Sequence, residues 1–163
     1  VVEPAALAAV NLPALEYPIE ETLGEIINDG RVSQLQLEGI AFACQKHLQI
    51  LPSGFRAGFF IGDSAGVGKG RQIAGIIIDN YCRGRTRHVW VSISMDLAKD
   101  AARDLGDLGS TISIHDGIKT LDRSSAKVFG ASADQKRGVL FTTYNALVAG
   151  SGARLAQICE WIG

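Results

Sequence analysis

The chain has 163 residues, 47% of them hydrophobic and 20% charged, with a formal net charge of −1. That length serves one compact domain, and the balance excludes a globally disordered chain and a strongly basic nucleic-acid module. No apolar run approaches the ~20 residues needed to cross a bilayer, so no membrane role is expected.

The opening Val1-Val2-Glu3-Pro4 has neither the basic start nor the apolar core of a signal peptide. The only methionine is Met95, so the chain reads as an excised piece of a longer protein. Residues 1–30 carry six acids and no Lys or Arg, with prolines at 4, 13 and 18. They are expected to form an acidic lead-in that packs on the domain edge or is partly mobile, extended in its first half, with a short helix over 19–27. The domain proper is expected over 31–163.

From Leu35 the pattern turns helical, with Leu37, Ile40, Ala41, Cys44 and Leu48 on one face. Pro52, Ser53 and Gly54 end it. Ala57-Gly58-Phe59-Phe60-Ile61-Gly62 predicts a short buried strand. A glycine-rich turn follows, and 73–82 is apolar on most sides, as in a helix packed on a sheet. Residues 88–93 predict a second buried strand. Asp96 is the expected cap of a helix with Ala98, Ala101, Leu105 and Leu108 inward and Lys99, Asp100, Arg103, Asp104 and Asp107 facing water. Residues 109–137 give the weakest pattern, with one short strand over 111–114. A further strand spans 139–143, and helices are expected over 144–149 and 154–161. Alternation of strands and helices implies parallel β-α-β units, a sheet covered on both faces, and an α/β three-layer domain.

Cys44, Cys82 and Cys159 form no close pair, which argues against a zinc or redox motif and for reduced, buried thiols. His47, His88 and His115 are equally scattered. No metal site built from side chains is expected.

The strongest chemical signal is Gly62-Asp63-Ser64-Ala65-Gly66-Val67-Gly68-Lys69-Gly70-Arg71, between a predicted strand and a predicted helix. Gly66 and Gly68 let the backbone curl so that successive N–H groups converge on phosphate oxygens. The helix that follows aims its positive end at the same point. Lys69 supplies a cation for the β- and γ-phosphates. Two positions depart from the general phosphate loop. Asp63 replaces the first glycine, and Gly70 replaces the Ser or Thr whose hydroxyl ordinarily ligates Mg²⁺. The form D-x-x-G-x-G-K is similar to motif I of superfamily-two helicases and chromatin remodelers. Upstream, Gln36-Leu37-Glu38-Gly39 resembles the segment in which a glutamine reads the adenine edge. Gln offers the donor and acceptor that adenine needs.

Taken together these residues resemble the strawberry notch family of helicase-like P-loop NTPases. The resemblance is carried by Leu35-Gln36-Leu37-Glu38, by Arg56 through Asp63, by Ala65 through Arg71, and by Asp96-Leu97. Asp100-Ala101 with Arg103-Asp104-Leu105, Thr143-Tyr144, and Arg154-Leu155 with Trp161 continue it. It covers the whole chain and includes Gly70-Arg71, so Gly70 is expected there; Ser64 stands where the family often has Gly.

The resemblance implies a RecA-like first motor domain with a mainly parallel sheet, ending before motif II. Its ligands would be ATP and Mg²⁺. Gln36 would meet adenine. Asp63, Ser64, Ala65, Gly66, Val67, Gly68, Lys69 and Gly70 would line the phosphates, Lys69 would be catalytic, and Arg71 would add a phosphate or helix-start contact. Ser92 and Ser94 lie where motif Ia touches the nucleic-acid backbone, and Thr142 and Thr143 where another such motif lies. Hydroxyls at strand ends position phosphates without reading sequence. Lys119, Arg123, Lys127, Lys136 and Arg137 add local positive charge, as do Arg83, Arg85 and Arg87. Chromatin or transcription-regulatory partners and a nuclear location are further implications. No adjacent acidic pair follows the loop, so the chain is not expected to hydrolyse ATP by itself. Two other readings stay open: a nucleotide-binding switch with little turnover, and a P-loop kinase, which would leave the Gln36 segment unexplained.

Overall fold

A computed structural model describes residues 11, 13–117, 119, 137–148 and 153–163. In chain order the elements are α1 (Glu20–Asn28), α2 (Gln34–Lys46), α3 (Lys69–Cys82), β1 (Arg87–Ser92), a 3-10 turn (Met95–Leu97), α4 (Ala98–Asp107), β2 (Ile114–Asp116), β3 (Gly138–Thr143), α5 (Tyr144–Val148) and α6 (Ala153–Ile162).

The three strands form one parallel sheet in the order β1-β3-β2. β3 is central, and all six of its residues are buried. Successive residues serve opposite faces, as pleating requires. Val139 joins the core beneath α1, α2, α3 and α4, with Leu23, Ile40, Ala74, Ile78 and Leu105. Leu140 joins a second cluster with Ile158 and Trp161 of α6. Helices therefore cover both faces of a parallel sheet, the three-layer α/β arrangement expected from the alternation. The chain matches a P-loop fold of RecA-like type in this respect.

The described part of the acidic lead-in supplies core residues. Tyr17, Ile19, Leu23 and Ile26 enter the main core. α2 begins at a full capping box: Ser33 Oγ accepts from Gln36 N, and Gln36 Oε1 accepts from Ser33 N. α2 and α3 approach closely because Gly39 and Gly75 lack side chains at their crossing. A Cβ at Gly39 would strike Gln72 Oε1, and one at Gly75 would strike Ile40.

Several expectations are corrected. Residues 57–62 belong to no strand. An extended run becomes a strand only when a neighbour supplies the ladder, and among the described residues only a single bridge, Ile50 to Arg56, lies near it. Phe60 is accordingly 88% exposed. Asp96 does not cap the next helix: a 3-10 turn capped by Ser94, whose Oγ accepts from Asp96 N at 3.2 Å, precedes α4, and α4 starts after Leu97 with no side-chain cap. The strand expected at 111–114 starts later, at Ile114, and upstream of it Ser110 Oγ accepts from Ile112 N at 3.2 Å. Cys44 is buried, but Cys82 and Cys159 are exposed. Asp104 does not face water; its side chain is only 18% exposed.

Candidate functional site

The loop before α3 owes its shape to two glycines. Gly66 has φ +87° and Gly68 has φ +84°, conformations that L side chains rarely adopt. Gly68 is the N-cap of α3, and no side chain caps that end. The backbone therefore turns left-handed twice within three residues and delivers the chain into a helix start.

Lys69, the first residue of α3, folds back over the loop. Its Nζ donates to the carbonyls of Asp63 at 2.8 Å and Ser64 at 3.0 Å. The cation thus stands inside the curl of the backbone that sequence reading assigned to phosphate. Ser64, Ala65 and Gly66 are exposed, while Val67, Gly68, Lys69 and Gly70 are half-buried.

Two neighbours brace this loop. Gln36 Nε2 donates to Val67 O at 3.0 Å, so the glutamine expected at the adenine edge lies against the loop, 31 residues away in sequence. Both ends of its amide are engaged, one by Ser33 N and one by Val67 O. Gln72, fully buried on α3, donates from Nε2 to Asp63 Oδ2 at 2.6 Å. Sequence reading missed Gln72. The signal was there in Gly39, whose bare Cα makes the room for it.

Arg71 is brought elsewhere. It pairs with Asp107 at 2.6 Å and donates to Arg31 O at 3.4 Å, tying the start of α3 to α4 and the α1–α2 turn. At Gly70, a Cβ would collide with Asp104 Oδ2 of α4. Burial pushes the Asp104 carboxyl above the usual range, against the pull of Arg103 and Arg71.

The four hydroxyls expected at a nucleic-acid backbone divide. Ser92 ends β1 half-buried, and Ser94 caps the 3-10 turn. Thr142 is fully buried with Oγ1 lacking a partner, and Thr143 is 7% exposed, its Oγ1 accepting from Ala146 N at 3.2 Å. Central β3 therefore buries Thr142, while Thr143, at the strand end, gives its hydroxyl to the start of α5. Most of the basic stretch expected over 117–137 lies outside the described residues. Arg87 donates to Trp161 O at 3.2 Å, and Arg83 is drawn into a buried network at the other end of α3.

That network is the second feature sequence reading missed. Asp79 is fully buried. Its carboxylate accepts from Tyr17 Oη at 2.6 Å, Thr22 Oγ1 at 2.5 Å and Arg83 Nε at 3.0 Å. Burial alone would raise the Asp79 carboxyl, but these hydrogen bonds and the Arg83 charge outweigh it and hold it below the usual carboxylate range. Burial and then the Asp79 charge push the neighbouring Cys44 thiol up to about 12. The run Ile76-Ile77-Ile78-Asp79 was the available signal: an acid on an otherwise apolar helix needs partners.

A cavity of about 780 Å³ opens between α1 and residues 108–112. It includes no residue of the glycine loop, and Glu20, Glu21 and Glu25 of α1 line it, a charge that disfavours phosphate. Among the described residues no cluster of His, Cys, Asp and Glu could by itself hold a metal ion, and no helix is long and apolar enough to cross a membrane.

The family model described as P-loop containing NTP hydrolase pore-1 matches residues 1–163. Protein strawberry notch of Drosophila melanogaster is 44% identical, covering 100% of this chain and 10% of its own. Protein strawberry notch homolog 2 of Homo sapiens is 45% identical over 100% of this chain and 12% of its own. Protein FORGETTER 1 of Arabidopsis thaliana is 43% identical over 100% and 13%. The resemblance drawn from the motifs is thus borne out along the whole chain, which spans only about a tenth of these relatives' length. No solved structure matches it.

Proposed function

Because the chain belongs to the P-loop NTP hydrolase family of strawberry notch type, we propose that residues 62–70 bind the phosphates of ATP in a helicase-like motor. The observation that carries this is the placing of Lys69 Nζ on the carbonyls of Asp63 and Ser64, within a loop turned by two left-handed glycines. On binding, phosphate oxygens replace those carbonyls as acceptors for Lys69. The uncapped start of α3 faces the same charge. Gln36 exchanges its bond to Val67 O for the adenine edge, so base recognition and loop position share one side chain. Gln72 keeps Asp63 fixed throughout. Mg²⁺ accompanies nucleotide in P-loop NTPases and neutralises charge on the phosphates. Position 70 gives no hydroxyl for it, but a carboxylate borders that position, so an oxygen donor of suitable hardness is present.

We further propose that the motor tracks a nucleic-acid backbone through Ser92 and Ser94 at the end of β1. A nuclear role in transcriptional co-regulation on chromatin rests on the family resemblance alone. A second reading, a nucleotide-dependent switch with little turnover, is favoured by Gly70.

Calorimetric titration of ATP into the full chain, wild type and Lys69→Ala, tests the site. The variant is expected to lose at least about tenfold in affinity, the loss of one charge-assisted contact of ~1.4 kcal/mol or more. Equal affinity in the two proteins would contradict the phosphate-loop reading.

A further inference from the structure

The geometry points to Asp104 of α4 as the residue that holds the divalent cation accompanying the nucleotide, in place of the hydroxyl that Gly70 lacks. This rests on the reading of residues 62–70 as a nucleotide site.

Three observations converge. First, the space that a side chain at position 70 would fill is taken by a carboxylate oxygen. A Cβ built on Gly70 would run into Asp104 Oδ2, with Asp104 Cγ at 3.2 Å and Oδ1 at 4.0 Å. The oxygen therefore comes from the neighbouring helix instead of from the loop, aimed at the position where a serine would have begun. Glycine at 70 is required by this arrangement, since any side chain would displace the acid. Second, Asp104 is not consumed by another strong partner. The Arg103 guanidinium stands at 4.0 Å from Oδ1, the edge of an ion pair, and makes its closer pair with Asp100 at 2.8 Å. Arg71, one residue after Gly70, makes its ion pair with Asp107 at 2.6 Å and none with Asp104. Third, the position is largely withdrawn from water, with the Asp104 side chain 18% exposed and Gly70 half-buried. A carboxylate kept there beside a phosphate loop meets anionic phosphate at close range. A bridging cation turns that repulsion into attraction. Mg²⁺ is suited to the task, because it is held by one or two carboxylates together with phosphate oxygens and water.

The competing account is structural: Asp104 could simply dock α4 against the uncapped start of α3. Asp104→Asn separates the two, since an asparagine keeps the shape and an acceptor oxygen but loses the charge. ATP affinity of the full chain is measured by calorimetry with Mg²⁺ and with EDTA, and folding is followed by thermal denaturation. Wild type is expected to bind ATP more tightly with Mg²⁺. In Asp104→Asn that Mg²⁺ advantage should fall about tenfold or more, while metal-free affinity, freed of the carboxylate's repulsion, does not fall. Mn²⁺ titrated in place of Mg²⁺ and read by electron paramagnetic resonance should lose its nucleotide-dependent signal in the variant. If Asp104→Asn fails to fold, the pair Gly70→Ser with Asp104→Ala decides. Loss of the Mg²⁺ advantage in Asp104→Ala alone, recovered when Gly70→Ser restores a hydroxyl, supports the assignment, and an undiminished advantage in Asp104→Ala overturns it. An unchanged Mg²⁺ advantage in Asp104→Asn overturns the role of Asp104 and leaves the nucleotide site standing. A wild-type chain that binds no ATP under either condition overturns the nucleotide reading, and the assignment of Asp104 with it.

Discussion

The two ends of α3 solve opposite problems. At the C-terminal end a fully buried acid, Asp79, is met by three side chains from the chain itself. At the N-terminal end, Gly68, Lys69 and Gly70 bring a helix start with no side-chain cap and a cation that rests on backbone carbonyls. One end has its polar groups settled by tertiary structure. The other is given a fixed backbone shape but leaves the strong partner to come from outside. A single helix so built is anchored at its rear and presents its front, and the anchor is why the acidic lead-in belongs to the core. Tyr17 and Thr22 hold α1 to the helix that carries the loop. The Arg83 guanidinium, 4.9 Å from the centroid of the Tyr17 ring, closes over them.

Breaking the anchored end should produce the largest effect. Asp79→Ala leaves Tyr17, Thr22 and Arg83 without their common acceptor and is expected to cost about 3 kcal/mol, read from urea unfolding. Acid should do the same. The Asp79 carboxyl is depressed in the folded chain, so its contribution is full above the ordinary carboxylate value, about pH 4, and is lost as pH falls below it. Alkali acts through the raised groups. Cys44 keeps its proton to about 12 when folded, so its contribution is present below about pH 8.5 and declines as pH rises from there. Urea midpoints that stay level from pH 5 down to pH 2 would remove Asp79 from the account.

The front end should respond in function more than in stability. Gly39→Ala drives a methyl into Gln72 and is expected to cost about 2 kcal/mol. Through the Asp63 contact it should also weaken ATP binding, whereas Asp79→Ala should leave the affinity of the folded fraction unchanged. A Gly39→Ala protein with full ATP affinity would show that Gln72 does not support the loop. Smallest is Gln36→Ala, expected to cost about 1 kcal/mol in stability through the lost capping box. It should also lower the preference for ATP over GTP, measured by competition. If stability falls and the preference holds, Gln36 caps a helix and braces Val67 without reading a base.

Periodicity and turn chemistry revealed most of the fold. The apolar run at 139–143 could only be a covered strand, and the Gly66 and Gly68 spacing announced the left-handed turns of the loop. Contacts between distant segments were less visible. Asp104 lay on the polar stripe of an amphipathic pattern, and nothing in that pattern says that a glycine on another helix will admit it. Thr142 and Thr143 looked like strand-end hydroxyls, but the sheet buries them because β3 is central. Residues 57–62 have strand composition and lack a ladder partner among the described residues, which no local pattern records.

The contrast between the two ends is tested most directly by titrating ATP into the ¹⁵N-labelled chain and following backbone amide shifts. The account predicts large changes at Ser64, Gly66, Gly68, Lys69 and Gly70, and none at Tyr17, Thr22, Asp79 or Arg83. Shifts centred on the Asp79 network, or no shifts at the glycine loop at saturating ATP, would contradict it.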